Sequence, residues 1–211
     1  MKLLYTNELE LREQFGLTAG VDEAGRGPLA GPLVVSACIL DLQYSIPDLN
    51  DSKKISERIR ETIYEQIIDT AIDYQVIIIS VDEIDQLNIL GATMKGMEEA
   101  VKGLRIKPDL VLLDGNRKPT GLPDALPIIK GDSQYASIAA ASILAKVTRD
   151  RIMREIHNLY PSYNFLKNKG YPTREHCKAL VEYGITEHHR RSYKPVKEAE
   201  REKVQWKRSK H

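Results

Sequence analysis

Four acidic residues in this chain are placed where they could do chemistry together. Asp22 and Glu23 stand side by side at the end of the short run Ala19-Gly20-Val21, and Gly25-Arg26-Gly27 follows at once. Asp114 ends the apolar run Val111-Leu112-Leu113, and Asp132 lies just past Ile128-Ile129. An acid at a strand end is costly in free energy unless a cation meets it. A glycine-rich turn lets backbone approach a ligand and aim amides at it. Together these features predict a carboxylate metal site beside a loop that holds a polyanion.

In a mostly parallel sheet the carboxyl ends of the strands share one edge, where ligands gather. If the strand carrying Asp22 is central, then Asp22, Glu23, Asp114 and Asp132 converge there. Their mutual repulsion is relieved by divalent cations, and an all-oxygen donor set selects Mg²⁺ or Mn²⁺ over Zn²⁺. Two such ions, about 3.5–4 Å apart, can clamp both oxygens of an in-line phosphoryl displacement. Other readings stay open. Asp132 is equally an N-cap for the helix that follows, and Asp114-Gly115 a simple turn. Neighbours on a strand face opposite sides. Glu23 therefore aims with Asp22 only if the strand twists off there, or else contributes its carbonyl or a bridging water.

The positioning elements follow from periodicity. Strands are expected at 18–22, 33–40, 74–81 and 110–113, with a shorter one around 128–129. Residues 1–17 predict a short peripheral helix. Ser56 reads as an N-cap before Ile59, Ile63 and Ile67, and a helix over 82–104 is broken near Gly91. The helix over 134–159 places Ile138, Ala141, Ala145, Thr148, Ile152 and Ile156 on one face, with an alanine run slim enough to lie close on a sheet. Helices over 173–183 and 195–206 close the chain. Strands followed by interleaved helices predict a mixed α/β sheet covered on both faces.

The 211 residues carry a formal charge of +1, so any affinity for nucleic acid must come from a local patch. Residues 186–211 hold nine Lys/Arg against four Glu. Cys38 and Cys177 have no metal-ligand spacing and read as reduced thiols of a cytoplasmic protein. No apolar run approaches the roughly 20 residues of a membrane span.

The segments Gly20–Gly31, Asp51–Lys54, Leu113-Asp114-Gly115, Gly131–Asp150, Lys169–His176 and His188–Val196 occur in the order found in the ribonuclease HII family, which the chain resembles over residues 20–196. The resemblance implies a ribonuclease H-like fold. That means a mixed five-stranded sheet flanked by helices, with a catalytic domain over 1–185 and a basic C-terminal helical extension over 186–211. It also implies a metal-dependent endoribonuclease that cuts the RNA strand of RNA–DNA hybrids and incises 5′ of single ribonucleotides in duplex DNA, leaving 3′-OH and 5′-phosphate ends. Asp22, Glu23, Asp114 and Asp132 become the catalytic metal ligands, holding two Mn²⁺ or Mg²⁺ ions. The backbone of Gly25-Arg26-Gly27 senses a 2′-hydroxyl, and Tyr171 stacks on the sugar of the following deoxynucleotide. Tyr193 stands where the family usually has Phe, and Pro172 where Gly is common. The related ribonuclease HIII has Glu at the fourth acidic position, here Asp132, and an extra N-terminal domain. The expected partners are an RNA–DNA hybrid and ribonucleotide-containing duplex DNA, with no membrane, and the expected state is a monomer. Lys53, Lys54, Lys146 and Arg149 are candidate phosphate contacts, and His188 and His189 read as phosphate or surface contacts.

Overall fold

The computed structural model describes residues 3–49 and 55–208, and side chains as far as Arg201. Lys53 and Lys54 lie outside the described residues. The chain separates into two units. One comprises the segments up to Ala24, Val34–Ile78 and Thr93–Thr148; the other comprises Gly25–Leu33, Ile79–Ala92 and the chain from Arg149 onward.

The first unit is built on a five-stranded sheet of β1 (Thr18–Ala24), β2 (Leu33–Ile39), β3 (Asp73–Ile79), β4 (Leu110–Asp114) and β5 (Leu126–Ile128), in the order β3-β2-β1-β4-β5. β1 runs antiparallel to β2 and parallel to β4, and β4 parallel to β5. The sheet is therefore mixed, with the Asp22 strand in the middle. Every residue of β2 is buried, as its unbroken run Leu-Val-Val-Ser-Ala-Cys-Ile requires.

Within this unit α1 (Leu3–Phe15), α2 (Glu57–Thr70), the part of α3 (Val81–Lys102) from Thr93 and the part of α4 (Ala136–Leu159) up to Thr148 flank it. Ser56 caps α2, its hydroxyl accepting the Ile59 N–H at 3.3 Å. α1 is not peripheral: Leu4, Tyr5 and Glu8 are buried. The Glu8 carboxylate accepts the Ser137 N–H at 3.1 Å and its hydroxyl at 2.9 Å, and bonds the Thr18 hydroxyl. A carboxylate with that many donors is tolerated inside, which a weakly patterned sequence does not disclose.

α4 also differs from the one-faced helix expected. Ala139, Ala140, Ala141, Ile143, Leu144 and Ala145 have no exposed surface. All but Ala145 pack in one cluster with Tyr5, Ile63 and Ile67. Small side chains let this part of the helix sit between sheet and outer helices. At Gly20 a Cβ would run into the backbone of Ser137 and Ile138, so β1 can pass beneath α4 only with glycine there.

In the second unit, α5 (Phe165–Asn168), α6 (Arg174–Tyr183) and α7 (Lys194–Arg208) surround a core of Leu29, Met153, Tyr163, Phe165, Leu180 and Val196. The break in α3 lies at Asn88 (φ 57°), three residues before Gly91. There the side chain accepts the N–H groups of Leu90 and Gly91 and restarts the helix. Among the described residues, no helix is long and apolar enough to cross a membrane.

Candidate active site

The register of β1 and β4 pairs Gly20 with Leu112 and Val21 with Leu113. The next position on each strand is an aspartate, Asp22 and Asp114. Residues opposite one another in a ladder share a face, and Asp22 also pairs with Ser36 on β2. The Ser36 hydroxyl donates to the Ala141 carbonyl at 2.6 Å, so this face is the one beneath α4. Ser142 of the same helix hydrogen-bonds Asp22.

Asp114 reaches Asp132 through the backbone. Its Oδ1 accepts the Gly131 N–H at 2.7 Å. Gly131–Ser133 forms a single 3₁₀ turn in which Asp132 is buried. α4 begins only at Ala136, so Asp132 is not its N-cap. Asp22, Asp114 and Asp132 are thus tied to one sheet edge and the approach to one helix. β1 keeps its register through Glu23↔Val35 and Ala24↔Val34, so the strand does not twist off after Asp22. Glu23 is half-buried, and its N–H donates to Asp22 Oδ1 at 2.7 Å.

Burial, then the charges of Glu23 and Asp114, push the Asp22 carboxyl well above the usual carboxylate range. The bonds from Ser142 and the Glu23 N–H oppose this only in part. An anion disfavoured in this way is what a dication would relieve, and the donor set is all oxygen. The residues present therefore fit Mg²⁺ or Mn²⁺. Among the described residues, no three His, Cys, Asp or Glu side chains form a cluster ready-made for a metal ion. Lys146 is half-buried on α4.

The glycine loop belongs to the second unit. Gly25 is buried at φ 104°, and Arg26 and Gly27 are exposed. Tyr171 is 45% exposed and lies against this loop: a Cβ on Gly27 would meet its Cε1 at 3.3 Å. Arg149 is a different matter from the surface cation expected. It is 1% exposed, and its guanidinium donates to the carbonyls of Pro32 (2.9 Å), Lys169 (3.0 Å) and Ala30 (3.1 Å). It braces the loop and does not face a phosphate. Burial, then the charge of Arg190, bring it down to about 10, still cationic at neutral pH.

Arg190 is also fully buried, so the basic patch over 186–211 is smaller than its composition suggests. His189 is likewise interior, its Nε2 3.0 Å from that of His176, and not a surface contact. His188 is half-buried, edge-on to Tyr160 at 5.7 Å. Ser142, Arg190 and Tyr193 were not singled out as site residues from the sequence. The signal available was the serine that follows the Ala139-Ala140-Ala141 run, and the paired arginines of His188-His189-Arg190-Arg191.

Comparison with known proteins agrees with this architecture. The chain is 54% identical over 189 residues to a ribonuclease HII of Shewanella baltica (strain OS223), covering 86% of this chain and 90% of that one. The crystal structure of the ribonuclease H2 from Pyrococcus horikoshii OT3 superposes with a TM-score of 0.77 at 31% identity, covering 88% of this chain and 97% of that one. Bst-RNase HIII in complex with Mn²⁺ shares the fold (TM-score 0.70, 18% identity, 87% and 68% coverage). The model of the family described as Ribonuclease HII matches residues 19–196. The chain therefore belongs to the ribonuclease HII family, endonucleases of the ribonuclease H type that act on RNA–DNA hybrids.

Proposed function

We propose that this protein, besides cutting the RNA strand of hybrids, incises 5′ of single ribonucleotides in duplex DNA, using two Mg²⁺ or Mn²⁺ ions and leaving 3′-OH and 5′-phosphate ends. The observation that carries this reading is the alignment of Asp22 with Asp114 on one face, with the Asp22 carboxyl held far above its ordinary range by burial and by its acidic neighbours. Asp22, Glu23, Asp114 and Asp132 would hold the ions. When bound, such ions ionise water near neutral pH and neutralise charge on the departing 3′ oxygen.

The chain's own groups do the rest. Ser142 and the Glu23 N–H orient Asp22, and the Gly131 N–H orients Asp114. Each carboxylate is thereby left with lone pairs for a cation. The Gly25-Arg26-Gly27 backbone meets the 2′-OH, which marks RNA by both donating and accepting hydrogen bonds. Tyr171 lays its ring on the following deoxyribose, where a 2′-OH would obstruct it. Lys53, Lys54 and Lys146 take phosphates, and the exposed Lys197 and Arg201 of α7 add to the grip on the duplex. The protein works as a monomer in the cytoplasm.

The test is a DNA duplex with one internal ribonucleotide, incubated with Mg²⁺ or Mn²⁺ and mapped at nucleotide resolution. A single cut on the 5′ side of the ribonucleotide is expected. Cleavage indifferent to the ribonucleotide, or no cleavage with either ion, would overturn the reading.

A further inference from the structure

Arg190 is a buried cation whose partners are carbonyl and hydroxyl oxygens. Its Nε donates to the Gly31 carbonyl at 3.0 Å. Its Nη2 reaches the carbonyls of Gly25 (2.7 Å), Gly31 (2.8 Å) and Pro32 (3.1 Å). Two hydrogens cannot serve three acceptors equally, so the longest of these is the weak one, and Pro32 is also held by Arg149. Nη1 donates to the Arg26 carbonyl at 3.2 Å and to the Tyr193 hydroxyl at 3.0 Å. That hydroxyl in turn donates to the Arg26 carbonyl at 2.7 Å.

The carbonyls of Gly25 and Arg26, each sharing a peptide with the N–H of the next residue, therefore turn toward one guanidinium. In extended chain, successive carbonyls point opposite ways. No peptide bond among the described residues is cis, and a trans peptide directs its N–H away from its own carbonyl. The N–H groups of Arg26 and Gly27 thus share the side away from Arg190. Consecutive amides on one side make a concavity for an oxygen acceptor. Gly25 brings the chain into this loop at φ 104° without strain, and a Cβ there would strike the Arg149 side chain.

We propose that Arg190 and Tyr193 are positioning residues for ribonucleotide recognition: by holding the carbonyls of Gly25 and Arg26 inward, they commit the amides of Arg26 and Gly27 to the substrate's 2′-oxygen. The inference rests on the reading of this loop given under Proposed function. It assigns a task to Tyr193, whose hydroxyl supplies the shortest bond to Arg26 and would be missing if Phe stood there.

Tyr193→Phe removes that hydroxyl and keeps the ring; Arg190→Lys keeps the charge and removes the fork. Binding is measured by fluorescence anisotropy, with Ca²⁺ in place of the catalytic ion, on two duplexes that differ only in one 2′-OH. In Tyr193→Phe the preference for the ribonucleotide falls about 3- to 10-fold, as expected for one lost hydrogen bond, while affinity for the all-deoxy duplex stays within about twofold. In Arg190→Lys the preference falls further, and adding Tyr193→Phe to it changes nothing more. In ¹⁵N spectra of Tyr193→Phe, the amide signals of Arg26 and Gly27 move. Parallel weakening on both duplexes, an unchanged preference, or unmoved Arg26 and Gly27 signals would overturn the proposal. If the wild type itself binds both duplexes alike, the sensing role of the loop fails. The amide signals then still decide whether Arg190 and Tyr193 set its conformation.

Discussion

His176 and His189 meet ring to ring, Nε2 to Nε2 at 3.0 Å, and neither is more than 1% exposed. The hydrogens follow from the flanking bonds. The Thr186 N–H donates to His189 Nδ1 at 2.9 Å, so that nitrogen carries no hydrogen and Nε2 does. His176 Nε2 then accepts, and its Nδ1–H donates to the Tyr171 carbonyl at 2.9 Å. A chain of neutral imidazoles thus anchors the backbone of the exposed Tyr171.

This pair makes the fold acid-sensitive. Burial, then the charges of His176 and His188, bring His189 down to about 3, and burial lowers His176 as well. An unfolded histidine titrates near 6.5, so between that pH and about 3 the unfolded chain holds more protons and acid favours unfolding. Stability should decline as pH falls below 6.5, by about 1–2 kcal/mol from His189 at pH 5. Urea melts at pH 7 and pH 5 check this. His189→Asn, which cannot take up a proton, should show a shallower difference between the two; an equal or steeper one would contradict the assignment.

Asp114→Asn keeps the size and shape of the side chain and removes one charge from beside Asp22. Turnover on the single-ribonucleotide duplex should drop at least ~1000-fold, and hybrid binding should change little. The Asp22 carboxyl should titrate at lower pH in the variant, because a like charge has gone. A variant that cuts at the wild-type rate would remove Asp114 from the site.

Metal should stabilise the protein before any substrate is added. Ions that relieve the repulsion around Asp22 bind the folded chain only, so millimolar Mn²⁺ should raise Tm and excess EDTA reverse it. Asp114→Asn should blunt that rise. A Tm indifferent to Mn²⁺ would argue that the four acids are not ligands.

Gly20→Ala tests the seat of the site without touching any acid. The added methyl would meet the backbone of Ser137 and Ile138, which cannot rotate aside. A loss of about 2–4 kcal/mol in chemical denaturation is expected, in line with overpacking of a tight core. An unchanged midpoint would mean α4 lies farther from β1 than described.

Charge reversal of Lys197 and Arg201 probes α7, where both are exposed while Val196 and Ala199 face the core. If each takes a phosphate, reversing both should weaken duplex binding and reduce the magnitude of the log–log salt slope by about 2. An unchanged slope would exclude α7 from the nucleic-acid contact.

Much of this protein could be read from residue order alone. The strand carrying Asp22, the apolar run ending on Asp114, the cap at Ser56, and the exposed Tyr171 between Gly170 and Pro172 are local in origin. Each depends on periodicity, on a hydroxyl three residues before an amide, or on a turn's own preferences. The fate of the cations was not local. Arg149 and Arg190 look in sequence like any arginine of a basic segment. Only the return of the chain, which brings Arg190 to carbonyls 158 to 165 positions away, makes them interior braces. The same holds for Glu8, answered by Ser137 across 129 positions, and for the two histidines. A charge or an imidazole can be buried wherever enough donors or acceptors close around it. Those partners are supplied by tertiary contacts, so the residue type says what can be bound and the fold says whether it is.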